Sequence, residues 1–296
     1  MLLPEQADIY IDKTARNFIP DCISNLTTPN NRRPEKQTSM RWPRIKTMSR
    51  PHAAGHTDGD KPPKEVNVIV WGPGTPWPPL PVNSSWLIAD AMPRVIFRDG
   101  DKPNIRIVLF PEPVESSWSY IRKTLPRFWD GDRDLFRLHR EDDEPKTFPV
   151  AAAVHMGMLD QPNEDYRLEK HGYKKGYELP DVDGKHPDED DLTGGGTWKD
   201  VPDRLDTALD VDYLYERVKS DVKDANIVIS HDHERFLCGY EYYTSLAELY
   251  NRKEKLRAVF LHTPIEHDSA SIEHGVHMGV ALVKAMVEDL EKQAAS

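Results

Sequence analysis

Five short apolar runs punctuate this chain, and stretches patterned as helices separate them. The runs are Val66–Trp71, Ile105–Phe110, Thr147–Met156, Ala225–Ser230 and Arg257–Leu261. Compact apolar runs of this length suit strands buried on both faces. Between them, Asn83 or Ser84 is placed to cap a helix through Ala91. Ser116–Trp129 has Trp118, Ile121 and Leu125 on one face, with Pro126 expected to bend or end that helix. Asp210–Lys223 turns Leu214, Val218 and Val222 inward, and Phe236–Tyr250 aligns Leu237, Tyr240, Leu246 and Leu249. A last helix is expected near Ser271–Lys292. Alternating strands and helices predict the α/β class: a mostly parallel twisted central sheet with helices on both faces, an open three-layer α/β/α arrangement. In such sheets, sites form where loops leave the carboxyl ends of strands.

Residues 1–64 lack any sustained period, are rich in Pro, Asn, Thr and Arg, and carry eleven Lys/Arg against seven Asp/Glu. They read as a disordered extension, leaving residues 65–296 as a single α/β domain. Leu159–Asp210 shows no long pattern either. From Glu178 to Asp212 it holds twelve acidic and three basic residues, so an acidic excursion at about 178–210 is expected to be solvated and mobile. No twelve-residue stretch has the ligand alternation of a calcium loop. A net charge of −11 argues against nucleic-acid or anionic-membrane partners. No apolar run approaches the roughly 18 residues of a membrane span, and MLLPEQADIY lacks the pattern of a signal peptide. Two cysteines make no disulfide framework, which points to a reducing compartment and a cytoplasmic location.

The chemistry centres on Cys238, in the first turn of the Phe236–Tyr250 helix, where the macrodipole and unpaired N–H groups favour a thiolate. The bland alternative is a small core residue. His262 follows the run Arg257–Leu261, 24 residues after Cys238. If the strands before the two residues are parallel, their carboxyl ends share an edge and thiol and imidazole can meet. That pair is the minimum for cysteine acyl transfer, and a carboxylate normally orients the imidazole. Glu169, a dozen residues beyond Gly157, can reach the same edge, and so can Trp77. His231, Asp232 and His233, or His274 and His277, form no compact metalloenzyme signature. His155, within an apolar run, reads as a core residue.

From about Val66 to Leu290 the chain resembles the pyroglutamyl-peptidase I family of cysteine peptidases. The resemblance rests on Ser230-x-Asp232-x-x-Arg235-Phe-Leu-Cys238-x-Tyr-x-Tyr-Tyr-Thr-Ser-Leu246, with further blocks at Phe260-Leu-His262-x-Pro264, Leu168-Glu-Lys-x-Gly172-x-x-Lys175-Gly-Tyr177 and Val82-Asn83-x-Ser85-Trp86. It implies Cys238 as nucleophile, His262 as base and Glu169 as orienting acid. It also implies removal of N-terminal pyroglutamate from peptides, with no metal or organic cofactor and an N-terminally blocked peptide as partner. Trp77, Pro73 and Asn83 would line the substrate pocket. The chain departs from the family in that pocket. Gly72-Pro-Gly-Thr-Pro-Trp77 stands where the family has Gly-Phe-x-Pro-Phe, His233-Glu234 replaces a small Ala-Gly pair, and Gly239 replaces Asn or Asp. These departures motivate a second reading, a catalytically impaired member that binds a peptide or a protein partner. The sequence assigns no oligomeric state.

Overall fold

The apolar runs form the strands that their pattern calls for. The computed structural model describes residues 65–74, 82–139, 144–193, 195–231 and 235–296, without the side chains of 191 and 192. The expected extension at 1–64 lies outside the described residues, as do Trp77, His233 and Glu234. The elements, in chain order, are β1 (Val66–Trp71), α1 (Ser84–Ala91), β2 (Val95–Ile96), β3 (Ile105–Leu109), α2 (Trp118–Trp129), β4 (Ala152–Met158), β5 (Tyr166–Glu169), β6 (His171–Tyr173), α3 (Glu189–Thr193), β7 (Arg204–Asp206), α4 (Val211–Asp221), β8 (Ile227–Ser230), α5 (Leu237–Asn251), β9 (Ala258–Thr263) and α6 (Ser269–Ala295).

Seven strands make the central sheet, in the order β2-β3-β1-β4-β9-β5-β8. The neighbours β3, β1, β4 and β9 are parallel, while β2 and β5 each run antiparallel to the strand they flank. β8 is parallel to β5. Val68, Val70, Val154 and Leu261 face one layer of helices, where Ile88 of α1, Leu214 and Val218 of α4 and Leu282 and Met286 of α6 are buried. Ile69, Trp71, Ala153 and Phe260 face the other layer, formed by α2 and α5. The mostly parallel sheet with helices on both faces is therefore present.

Several local expectations shift. The third run begins in the sheet at Ala152, not at Thr147. Phe148 donates its N–H to Gly131 O at 2.9 Å, Thr147 bridges Asp132, and Pro149 has no N–H to give a ladder. The run at 225–230 is not a buried strand: β8 is the sheet's edge, with Val228 exposed. Pro126 neither ends α2 nor breaks it. The last turn closes through Asp130 N–H to Pro126 O and Gly131 N–H to Phe128 O, both 3.0 Å, and Arg252 donates to Pro126 O at 2.8 Å. Gly131 at φ +64° provides the left-handed stop.

The segment Leu159–Asp210 is not irregular throughout, since it supplies β5, β6, β7 and α3. Nor is its acidic part simply solvated. Tyr177, Asp181, Trp198, Val201 and Leu205 are buried. Asp181 accepts the first-turn N–H of Trp118 at 3.2 Å, capping α2 from outside, while Trp118 Nε1 donates to Lys185 O. Trp198 packs edge-on against Tyr243 of α5, and the Arg122 guanidinium lies 4.2 Å over its ring. Buried Lys174 donates to Val201 O at 2.7 Å. Apolar anchors spaced among the carboxylates hold the segment on α5.

Leu261 is fully buried between β4 and β5. Leu261→Ala is expected to cost about 2–5 kcal/mol in a urea-unfolding measurement. A change within the error of that measurement would contradict its place in the core.

Candidate active site

The residues singled out for chemistry meet on the sheet face that carries α5. In the β4–β9 ladder Gly157 pairs with His262, and in the β9–β5 ladder Glu169 pairs with Phe260. Paired residues share a face, as do residues two apart along a strand. His262, Phe260, Glu169 and the missing side chain of Gly157 therefore all point to the α5 side.

Cys238 fills the gap at Gly157. A Cβ built on Gly157 would lie 2.7 Å from Cys238 Sγ and 2.7 Å from Phe260 Cζ. The sulfur thus occupies the side-chain position of Gly157, the residue that pairs with His262 across the ladder. The thiol is half-buried at the start of α5, whose N-cap is Phe236.

On the other side of the imidazole, His262 Nδ1 lies 2.7 Å from Glu169 Oε1, both side chains buried. An ionised carboxylate can only accept, so Nδ1 carries the hydrogen and donates it. In the neutral ring Nε2 is then the basic nitrogen. Phe260, its ring centroid 4.7 Å from that of His262, fixes the ring's second face. The order carboxylate, imidazole, sulfur follows from three neighbouring strands and one helix turn.

The route to this arrangement differs from the expected one. β8 is parallel to β5 and β5 is antiparallel to β9, so β8 and β9 run in opposite directions. Their carboxyl ends do not share an edge. Ser230, the last residue of β8, stands level with Glu169 and Phe260, inside the ladder. The start of α5 nevertheless lies beside Gly157. His262 also lies within β9 instead of following it, and Glu169 ends a strand and not a loop.

Asn83 caps α1: its Oδ1 accepts from Ser85 N at 3.1 Å and from Ser85 Oγ at 2.6 Å. Pro73 is buried and bridges Val114. Neighbouring Ser84 Oγ is 3.0 Å from Thr263 Oγ1 and donates to Pro264 O at 2.5 Å, while Thr263 Oγ1 donates to Gly157 O at 3.2 Å. This chain of hydroxyls ties the start of α1 to the carboxyl ends of β4 and β9. Asn83 thus holds α1 by its cap and Pro73 is fixed by its bridge to Val114. Trp77 lies outside the described residues.

Sequence reasoning passed over two features. Gly157 directly follows the run Thr147–Met156, and a glycine closing a buried strand marks a close approach. Glu241, three residues beyond Cys238, is almost wholly buried, with Oε1 2.9 Å from His155 Nδ1. Burial raises its pKa above the usual carboxylate range, while His155 and Trp71 oppose that rise. No group of three or more His, Cys, Asp or Glu side chains is arranged to hold a metal among the described residues.

Comparison with known proteins finds relatives in sequence and in fold. Pyroglutamyl-peptidase 1 of Homo sapiens is 26% identical over 205 residues, covering 69% of this chain and 81% of the human protein. The Rattus norvegicus enzyme of the same name matches to the same extent. The pyroglutamyl peptidase I structure from Bacillus amyloliquefaciens superposes with a TM-score of 0.55 at 19% identity, covering 76% of this chain and 96% of that one. A mutant pyrrolidone carboxyl peptidase from Pyrococcus furiosus gives 0.52 at 16% identity, over 77% of this chain and 100% of its own. The chain is a divergent relative of the pyroglutamyl-peptidase I family. No family model matches it.

Gly157→Ala is expected to destabilise the fold by about 1–3 kcal/mol through overpacking against the sulfur and Phe260, read from urea unfolding. An alanine accepted at no cost would mean that the sulfur rests elsewhere.

Proposed function

We propose that the chain is a cysteine peptidase that removes N-terminal pyroglutamate from peptides, with Cys238 as nucleophile, His262 as general base and acid, and Glu169 as the group that orients His262. The observation that carries the reading is the buried Glu169–His262 hydrogen bond next to the thiol-bearing turn of α5. Sequence likeness to the mammalian pyroglutamyl-peptidases supplies the substrate class.

The chemistry runs in two halves. His262 Nε2 takes the proton of Cys238, and the thiolate attacks the carbonyl joining the pyroglutamyl residue to the peptide. The charge developing on that oxygen is directed at the first-turn amides of α5, which have no carbonyl partner inside the helix. The imidazolium then protonates the leaving amine, the C–N bond breaks, and a thioester remains on Cys238. Glu169 stabilises the imidazolium throughout without taking its proton. Water, deprotonated by His262, attacks the thioester, and the C–S bond breaks to release pyroglutamate and the thiol. No metal or organic cofactor enters any step. The lactam is uncharged, so its recognition calls for apolar walls and backbone hydrogen bonds, with Pro73 and Asn83 the candidates to supply them.

A reporter with a fluorophore in amide linkage to pyroglutamate tests the reading. The full chain is expected to release the fluorophore, with Cys238→Ala and His262→Ala abolishing release. Glu169→Gln is expected to lower kcat by roughly 10³–10⁴-fold. Binding of pyroglutamyl ligands with no turnover by the parent chain would instead support the impaired-member reading.

A further inference from the structure

One buried acid–imidazole contact remains unused by this chemistry. Glu241 of α5 and His155 of β4 meet at 2.9 Å beneath the candidate site, with side-chain exposures of 3% and 0%. The other nitrogen of His155, Nε2, is 2.7 Å from Ser245 Oγ, which also accepts from Trp129 Nε1 at 3.0 Å. Phe128 stacks on the imidazole at 5.4 Å between centroids, and Phe260 lies parallel to it at 6.5 Å. The contact is enclosed on every side by named partners.

Its position relative to the thiol is set by two periodicities. Glu241 is three residues after Cys238 on α5, so the two side chains are neighbours about 5–6 Å apart at Cβ. His155 is two residues before Gly157 on β4, the same face and about 7 Å along the strand from the residue that seats the sulfur. A bare carboxylate at Glu241 would oppose ionisation of Cys238, the reverse of what a thiolate nucleophile needs. The fold places an imidazole on that carboxylate.

We propose that His155 neutralises Glu241, and that the two act as a positioning pair which sets the pH range over which Cys238 is a thiolate. Among the described residues, the titratable groups around them are few. Cys238 and Tyr242 share α5, His262 comes from β9, Glu169 from β5, and Trp71, Phe128 and Trp129 from β1 and α2 carry no charge. Arg235, before α5, is held over the Tyr173 ring at 3.8 Å. Burial of Glu241 without a partner would be costly, and breaking one member of such a pair exposes the charge of the other. The proposal rests on Cys238 being the reactive thiol of the site.

Iodoacetamide alkylation of Cys238, followed by mass spectrometry from pH 5 to 10, tests it in a Cys22→Ser background so that one thiol is read. His155→Gln is expected to raise the midpoint by about one pH unit or more, which is about tenfold slower alkylation below the midpoint. Adding Glu241→Gln to that variant is expected to restore the parent midpoint, and Glu241→Gln alone to leave it in place. An unmoved midpoint in His155→Gln, or a double variant that stays shifted, would overturn the proposal. So would a Glu241→Gln midpoint one unit or more below the parent, since that would reveal an uncompensated charge. Should His155→Gln fail to fold, Ser245→Ala takes its place. By stripping the partner of Nε2 it is expected to move the midpoint upward by a smaller amount, and no movement would overturn the proposal. A silent pyroglutamyl reporter would count against the peptidase assignment without altering this profile.

Discussion

The arrangement at the site depends on one absent side chain. Gly157 leaves a hole in an otherwise filled sheet face, and the sulfur of Cys238 is what fills it. Any larger residue there would drive α5 off the sheet or turn its first turn away. With the sulfur seated, the neighbours follow from strand geometry alone. His262 pairs with Gly157 across one ladder, and Glu169 pairs with Phe260 across the next. Each lies on the same face as the sulfur, because pairing and alternation permit nothing else.

Holding α5 in that position is the task of the segment between β5 and α4. α5 is buried nearly all round, including Glu241, Thr244 and Ser245. The sheet covers one side and Trp198, Val201 and Leu205 cover another. Tyr243 donates to Pro202 O at 2.7 Å, and Tyr242 donates to Glu169 O at 3.4 Å, so the same helix grips both the outer segment and the strand that carries the acid. The acidic stretch read from composition as solvated thus clamps α5. A helix enclosed in this way has to satisfy its polar side chains internally, which is why His155, Ser245 and Trp129 form a network beneath the site.

The layers of the fold were legible because hydrophobic period is local. Val66–Trp71 and Ala258–Leu261 are too apolar to be anything but buried strands, and Asp210 and Asn83 announce their helices by capping them. Strand direction was not legible, because nothing within Ala225–Ser230 or Tyr166–Glu169 records which neighbour it will lie against. Glu169 and His262, expected to share an edge, do meet at 2.7 Å, although the shared-edge argument for Cys238 assumed a β8 parallel to β9 that the sheet does not have. The acidic segment misled for a related reason. Its charges dominate composition, whereas Trp198, Tyr177 and Asp181, which decide its packing, are few and widely spaced. Glu241 had a readable signal: it sits on the inward side of α5, one turn from Cys238, where a carboxylate must find a partner.

If Cys238 and His262 act as one unit, their contributions to catalysis are not additive. The direct test compares kcat on a pyroglutamyl-amide reporter for Cys238→Ala, His262→Ala and the double variant, each confirmed as folded. The account predicts that the double variant loses no more activity than either single one. Losses that multiply would show two residues working independently, and would contradict the shared mechanism.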